Sequence, residues 1–424
     1  MKQFISTLSL FILISTSLIS QTNPYKLGID CLEDNGYYNA ISQLENKKEV
    51  YINSPQFRTA YYQIISTVYS FVGKDSLAFQ SFDKAFSNEE SRNKVSVFDT
   101  SAILTDIEFL NAFDFIDSIS SKHRLIIINE SHHTSQHRIL TKEVLANLKK
   151  NGFNFLGVEA LSPLDTNLME RGYPSVGKTG FYINEPVFGN LIREGIKEDY
   201  TIFPYDLRFE CDYNEKRPNY CKNLRELIQA TAIAKILNNN PESKVIIHCG
   251  YDHLFEKTET DWIKMAEYLN IITGIDPFTV SQTKYIERGY PSLEKNEYAA
   301  LTEKANMEVP FICFFMGEVW NPKGYDGLYD AQVFWPNITY QNERPQYLTS
   351  QKGFSRYYIP SNRLKPNTII QAFLKNELIK PVPIDQVIID EIEKIYALIL
   401  PKGEFTIIVK DKEGSTIDQF DIEQ

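Results

Sequence analysis

Four consecutive apolar residues, Leu125, Ile126, Ile127 and Ile128, run straight into a polar stretch that holds Glu130, His132, His133 and His137. An unbroken apolar run of that length between polar flanks predicts a strand buried on both faces, the kind found in parallel sheets. Apolar residues at helical spacing follow over 139–148, so the polar cluster falls where a strand gives way to a helix. In open α/β sheets the edge beyond the carboxyl ends of the strands is where ligands bind. Three of the six histidines of the chain lie in this stretch, and His248 and His253 lie in, or just after, a second apolar run over 245–249.

The same grammar repeats from about 97 to 345, where strand and helix signals alternate and predict a mostly parallel sheet flanked by helices. The expected strands cover 125–128, 153–158, 200–205, 245–249 and 271–275, with helices over 139–148, 187–196, 224–237 and 262–269 between them. Each strand is followed by an acid or an imidazole: Glu130, Glu159, Asp206, the turn Gly250-Tyr251-Asp252-His253, and Asp276. A single acid at a strand end is ordinarily a helix cap or a solvated turn. Five at one edge mark a site. His248, inside its strand, reads as a hydrogen-bonded core residue, and His123 as a solvated one before the first strand.

The remainder of the chain divides around this unit. Residues 1–20 carry Lys2 and then an apolar, hydroxyl-broken run, which reads as a signal peptide cleaved near Gln21 rather than a membrane helix. A secreted or periplasmic location, without a membrane span, is therefore expected. Over 21–96 the pattern is of helix pairs: Tyr62, Ile65, Ser66, Tyr69, Ala78, Phe82 and Ala85 fall on the spacing of a tetratricopeptide unit, and Leu27, Gly28, Ala40 and Leu44 fit one unit earlier. Two units are too few for a free-standing solenoid, so the segment reads as a helical cap on the next domain, with a protein partner as the other option. The α/β unit spans 97–365. Residues 366–424 read as a small α+β appendage, with one helix in 381–400 and a hairpin over 405–420 turned at Gly414.

A net charge of −11 argues against nucleic acid as a partner, which needs a basic surface. Of the five cysteines, Cys249 and Cys313 sit in apolar runs as buried thiols, while Cys211 and Cys221 flank a polar loop and could pair. The hexapeptide Glu-Arg-Gly-Tyr-Pro-Ser occurs at 170–175 and again at 287–292; if both turns overhang the sheet edge, Tyr173 and Tyr290 would line the pocket.

Several of these residues carry a resemblance. Glu130-Ser131-His132, with His137 further on, resembles the GExH…H opening of the haem-binding ChaN-like lipoproteins, while Glu130 with His133 resembles the GExxH of erythromycin esterases. Both groups, with the TraB/TIKI proteins, form one superfamily whose second motif, GxxH, is matched by Gly250-Tyr251-Asp252-His253. Between them Gly152-Phe153 followed by Val158-Glu159 resembles the GF…E strand, and Arg225-Glu226 with Ala230 resembles the R[D/E]xxxA helix. Asn129 departs from the glycine usual at its position, though asparagine tolerates the left-handed angles of a turn.

The resemblance implies an α/β fold of the erythromycin esterase/ChaN-like kind and a hydrolase acting on an ester or amide bond of a small molecule or peptide. It makes Glu130 and Glu159 the expected bases, His133 or His132 together with His253 the acid or ligand residues, and Arg225 the electrostatic partner. A carboxylate near imidazoles can activate water, and an arginine can stabilise an oxyanion. The same residue types, Glu130, His132, His137 and His253, could instead hold a divalent metal such as Zn, Mn or Fe. Two other readings stay open: a haem or metal carrier, and a non-catalytic interaction protein in which the helical repeats matter most.

Overall fold

The computed structural model of the protein describes residues 22–33, 35–92, 105–212, 215–258 and 260–424; the expected signal peptide lies outside them. The helical segment consists of α1 (Pro24–Leu32), α2 (Tyr37–Asn46), α3 (Lys48–Ile52), α4 (Pro55–Phe71), α5 (Asp75–Phe86) and α6 (Glu89–Arg92). Proline opens α1 and α4, where its missing N–H costs nothing. Small residues set the packing. A Cβ on Gly28 would come 2.8 Å from Cγ1 of Ile64, so glycine is what lets α1 reach α4. Ser66 donates a 2.7 Å hydrogen bond to the Ala78 carbonyl and ties α4 to α5.

The central unit runs β1 (Ile107–Asn111), α7 (Ala112–Ser120), β2 (Leu125–Glu130), α8 (Gln136–Lys150), β3 (Phe153–Val158), α9 (Leu168–Arg171), α10 (Pro186–Lys197), β4 (Thr201–Pro204), α11 (Tyr220–Asn239), β5 (Lys244–Gly250), α12 (Met265–Thr273), β6 (Phe278–Ser281), α13 (Asn296–Ala305), β7 (Phe311–Phe315), β8 (Glu318–Val319) and β9 (Ala331–Phe334). The sheet has the order β1-β7-β9-β6-β2-β5-β3-β4, with β8 on β7. From β9 to β4 all neighbours are parallel, while β7 runs antiparallel to β1, β8 and β9. Side chains alternate across the strands. Ile126, Ile128, Ile246, Leu156 and Val158 pack with Leu140, Val144 and Leu191 of α8 and α10. Leu125, Ile127, Val245, Ile247 and Cys249 pack with Ala230, Ile233 and Leu269 of α11 and α12.

One expected strand is corrected. Residues 271–273 continue α12, and the strand is Phe278–Ser281. Ile271 is largely exposed on the helix, so the apolar pair that suggested a strand never enters the sheet. Asp276 therefore precedes β6 and stands at the opposite edge from the other four strand-end groups.

The chain closes with β10 (Tyr340–Gln341), β11 (Arg344–Pro345), β12 (Phe354–Tyr358), β13 (Thr368–Leu374), β14 (Asp385–Ile389), β15 (Ala397–Pro401), β16 (Glu404–Asp411) and β17 (Thr416–Glu423). They form an antiparallel sheet β14-β13-β16-β17 and a pair β12-β15. This tail is β rather than α+β: residues 381–400, expected to hold a helix, form β14 and β15. Short apolar runs do not distinguish a buried strand from a helix turn by spacing alone. Here β-branched Val387, Ile388, Ile389 and Ile399 favour the strand.

The helical segment is wedged between the other two parts. Tyr37 donates to the Asn184 carbonyl at 2.7 Å, and Gln386 of β14 donates to the Phe71 carbonyl at 2.9 Å. Buried Asp75 accepts hydroxyls from Tyr340 and Tyr347 at 3.2 and 3.0 Å. The repeated hexapeptides serve these joints and do not line the site. Tyr173 accepts the Leu378 and Ile379 amides of the tail. Gly289 lies so close to α5 that a Cβ would meet the Gln80 nitrogen at 2.3 Å, and the Tyr290 amide donates to Asp83. Cys211 and Cys221 are disulfide-bonded, with Cα atoms 5.8 Å apart. Cys249 and Cys313 are buried thiols. Among the described residues no helix is long and apolar enough to cross a membrane.

Candidate functional site

The alternation of β2 and β5 puts Glu130 and His248 on the face covered by α8. Glu130, with a side chain 2% exposed, is saturated there. Its Oε1 accepts from His132 Nδ1 at 2.8 Å and Arg138 Nη2 at 3.2 Å. Its Oε2 accepts from Arg138 Nε at 2.6 Å and His248 Nε2 at 3.2 Å. Four donors fill the lone pairs of one carboxylate. Burial works against its charge, but Arg138 and the two imidazoles outweigh burial and hold it ionised well below the usual carboxylate range. Arg138 also donates to Glu185 Oε2 at 2.9 Å and to the His132 carbonyl at 2.9 Å, with its guanidinium over the Phe188 ring. Thr141, one turn along α8, meets His248 Nδ1 at 2.9 Å.

On the other face, covered by α11, Glu159 takes the Gly250 amide at 2.5 Å on Oε2. Its Oε1 pairs with Arg225 Nη2 at 2.7 Å and His253 Nε2 at 3.3 Å. Arg225 is held in turn by Asp206 at 2.7 Å. His253 Nδ1 donates to Glu226 Oε2 at 2.6 Å, and Glu226 is fixed by the Trp262 indole and the Met265 amide. Burial lowers the proton affinity of His253, but Glu159 and Glu226 together override it and push the imidazole up to about 10. His253 is thus a cation at neutral pH. Burial likewise opposes the charge of Glu159, and His253 and Arg225 keep it ionised.

The two halves meet at Gly250. A Cβ there would stand 2.5 Å from His132 Cε1, 2.8 Å from His132 Nε2 and 3.2 Å from Glu159 Oε2. The bare backbone therefore lets the His132 ring and Glu159 approach one point at the sheet edge. Tyr182 stacks on the ring at 3.9 Å between centroids, and Tyr251 meets its edge at 5.0 Å. Tyr251 carries a positive φ of 43°. Its carbonyl is held by Asn129 Nδ2 at 2.5 Å, while Asn129 Oδ1 takes the Gln282 amide at 2.7 Å. Where the resembling motif has glycine, this chain uses a side chain to bolt β2 to the histidine-bearing turn. Gly250→Ala should displace the His132 ring. We expect less than about 2 kcal/mol lost in stability with the imidazole resonances of His132 shifted; denaturant melts and 15N NMR check it.

The sequence-derived residues separate here. Glu130, His132, Glu159, Arg225 and His253 come together, joined by Asp206. His133 does not. Residues 131–134 form a turn closed by the Thr134 amide on the Ser131 carbonyl at 2.9 Å, so adjacent side chains diverge, and His133 stacks on Phe82 of α5 at 3.7 Å. Burial holds His133 neutral. His137 also stays outside: its Nδ1 accepts the Ser131 amide at 3.1 Å, and burial lowers its pKa to about 3. The set Glu130, His132, His137 and His253 is not arranged as ligands, and among the described residues no three His, Cys, Asp or Glu side chains are placed to hold a metal ion. Missed from sequence were Arg138, Glu185, Thr141 and the role of Glu226, while His248 is the hydrogen-bonded core residue expected. The sequence carries no signal for them: in α8 Gln136, His137, Arg138, Thr141 and Lys142 are polar yet buried, and only the fold shows that this buried charge is paired.

No protein-family model matches the chain, and no curated protein matches it. Among solved structures it is similar to the type III effector HopBA1, at 16% identity over 44% of this chain and 92% of that one, with a TM-score of 0.31. It is also similar to RRSP, a MARTX toxin effector domain from Vibrio vulnificus CMCP6, at 15% identity over 58% of this chain and 46% of that one, TM-score 0.30. A third structure, of bacterial protein toxins, aligns at 15% identity over 53% of this chain and 45% of that one, TM-score 0.27. Likenesses this distant assign no chemistry to the cluster.

Proposed function

We propose that the protein is a hydrolase that attacks an ester or amide carbonyl with water, using His132 as base and His253 with Arg225 as the electrophilic side, and that it belongs with the erythromycin esterase/ChaN-like proteins whose motifs it resembles. The observation that carries the reading is a pair of carboxylate-oriented imidazoles of unlike character at one point. Ionised Glu130 can only accept, so His132 carries its proton on Nδ1 and turns the Nε2 lone pair toward Gly250 and Glu159. His253, held by Glu226 and Glu159, is a fixed cation beside the Arg225 guanidinium, 3.3 Å away.

In the proposed step His132 Nε2 removes a proton from water as the water oxygen bonds to the carbonyl carbon. The displaced π electrons become an oxyanion facing the positive charge of the Arg225 guanidinium and the His253 ring. Collapse of that intermediate breaks the bond to the leaving oxygen or nitrogen, which takes the proton back from His132. Glu130, having no lone pair to spare, orients the base; it is not itself the base.

The test is a panel of aryl and alkyl esters and of peptide amides, followed by a pH profile on the best substrate. Turnover should decline on the alkaline side near pH 10, as His253 loses its proton. In Glu159→Gln, which removes the charge that sustains the imidazolium, that limb should move about 1–3 units lower. A limb that stays put in the variant, or a panel left untouched by the wild-type protein, overturns the reading.

A further inference from the structure

The buried half of the site has a charge count that hydrogen bonding alone does not require. Arg138 is fully buried and is shared between two carboxylates, Glu130 and Glu185, whose side chains are 2% and 3% exposed. Glu185 accepts from three donors, the Val187 and Phe188 amides at the start of α10 at 2.9 and 2.8 Å, and Arg138 Nη1. Burial and those donors pull its proton affinity in opposite directions, with burial the larger. The third ring in the cluster, His248, is held between the Thr141 hydroxyl, 2.9 Å from Nδ1, and Glu130, 3.2 Å from Nε2. Two carboxylates therefore share one guanidinium, with no lysine or second arginine among the hydrogen-bond partners of either in the described residues.

A buried uncompensated charge is costly unless something uses it. Were Arg138 paired with Glu130 alone, the pair would be neutral and would favour a neutral His132. We propose that Glu185 is a positioning residue for catalysis: by drawing on the charge of Arg138 from its far side, it leaves Glu130 under-neutralised, so that the proton His132 takes from water completes the charge balance of the cluster. This inference rests on His132 being the base. It assigns Glu185 a task beyond capping α10, and it explains why a cap that is buried and facing an arginine should be a full carboxylate when serine, threonine or asparagine cap a helix as well.

The experiment compares Glu185→Gln and Glu185→Asp with the wild-type full-length chain. Gln removes the charge while keeping an oxygen for Arg138, and Asp keeps the charge and is itself a good cap. We expect kcat in Glu185→Gln to fall about 10-fold with KM unchanged, the pattern of an interaction realised only in the transition state, and Glu185→Asp to recover most of it. A purely structural cap would lower the melting temperature of Glu185→Gln, spare that of Glu185→Asp and leave kcat unaltered in the folded fraction of both, and that result overturns the proposal. A second readout needs no substrate: in 15N NMR the ring of His132 should take up its proton about one pH unit lower in Glu185→Gln than in wild type. If the ring shift is present but no hydrolysis is found, the charge linkage stands and the hydrolytic reading falls. If hydrolysis depends on His132 but neither kcat nor the ring responds to Glu185, the linkage falls alone.

Discussion

Arg138→Met should destabilise the protein by about 3–5 kcal/mol at neutral pH, the range seen when one partner is removed from a buried ion pair. Methionine fills the space over Phe188, so little of the loss is cavity. The cost is that of leaving Glu130 and Glu185 charged, buried and without their common cation. The sign of the pH dependence separates this account from a packing defect. In the wild type, burial opposes the charge of Glu130 and Arg138 with its two histidines outweighs burial, so the carboxyl sits below its unfolded value. That contribution to stability is complete above about pH 4.5 and is lost as pH falls through the folded value. Without Arg138 the burial cost dominates and the carboxyl is expected to sit above its unfolded value, so the variant should regain stability, relative to wild type, as pH is lowered toward 5. Urea melts at pH 7.5 and pH 5 measure both. A deficit under 1 kcal/mol, or one that does not shrink on acidification, would contradict the ion-pair account.

His132→Gln is expected to cut turnover by about a hundred- to ten-thousand-fold, the usual contribution of a positioned proton acceptor, with a small change in melting temperature because the ring is packed at the edge of the sheet between Tyr182 and Tyr251. His133→Gln supplies the contrast. That ring lies flat on Phe82 in the joint between α5 and the α8 turn, so the substitution should lower the melting temperature and leave kcat within about threefold of wild type. The reverse pattern, with His133 sensitive and His132 silent, would favour the GExxH spelling of the motif over GExH and sink the geometry argued here.

How much of this was legible beforehand follows from where the information sits. Strands β2, β3 and β5 were readable because each is a mostly apolar run framed by polar residues, and their terminal groups Glu130, Glu159 and His253 came with them. Strand β6 was misplaced because Ile271 and Ile272 at the exposed end of α12 mimic a short core strand, while the true strand Phe278–Ser281 alternates apolar with hydroxyl residues. In the tail, β14 pairs with the preceding strand β13 and β15 with the more distant β12, and both are short apolar pieces that spacing alone does not set apart from a helix. The choice between His132 and His133 was not available to spacing, since a turn of one residue's difference sends neighbours to opposite sides. Arg138 was hidden for another reason: at the start of an expected helix a basic residue passes for a solvated one, and only the third dimension reveals the two acids beside it.

The position of the helical segment between the α/β unit and the tail has a kinetic consequence. Its contacts run to Asn184 on one side and to Gln386 and Asp390 on the other, so the first helices of the described chain meet some of their neighbours only after more than three hundred further residues have been made. Contacts of such separation must close very long loops, whose entropy is spent before any packing is recovered. Emerging in order from a ribosome, helices α1 to α5 can pair with one another early; Tyr37, Phe71 and Phe79 then wait for Asn184, Phe181 and His133 of the α/β unit, and the rest of their cluster waits for Ile369 and Ile388 of the last sheet. The helical segment is therefore completed in two stages, and a message truncated just before β13 would leave open the side that Ile369 and Ile388 cover.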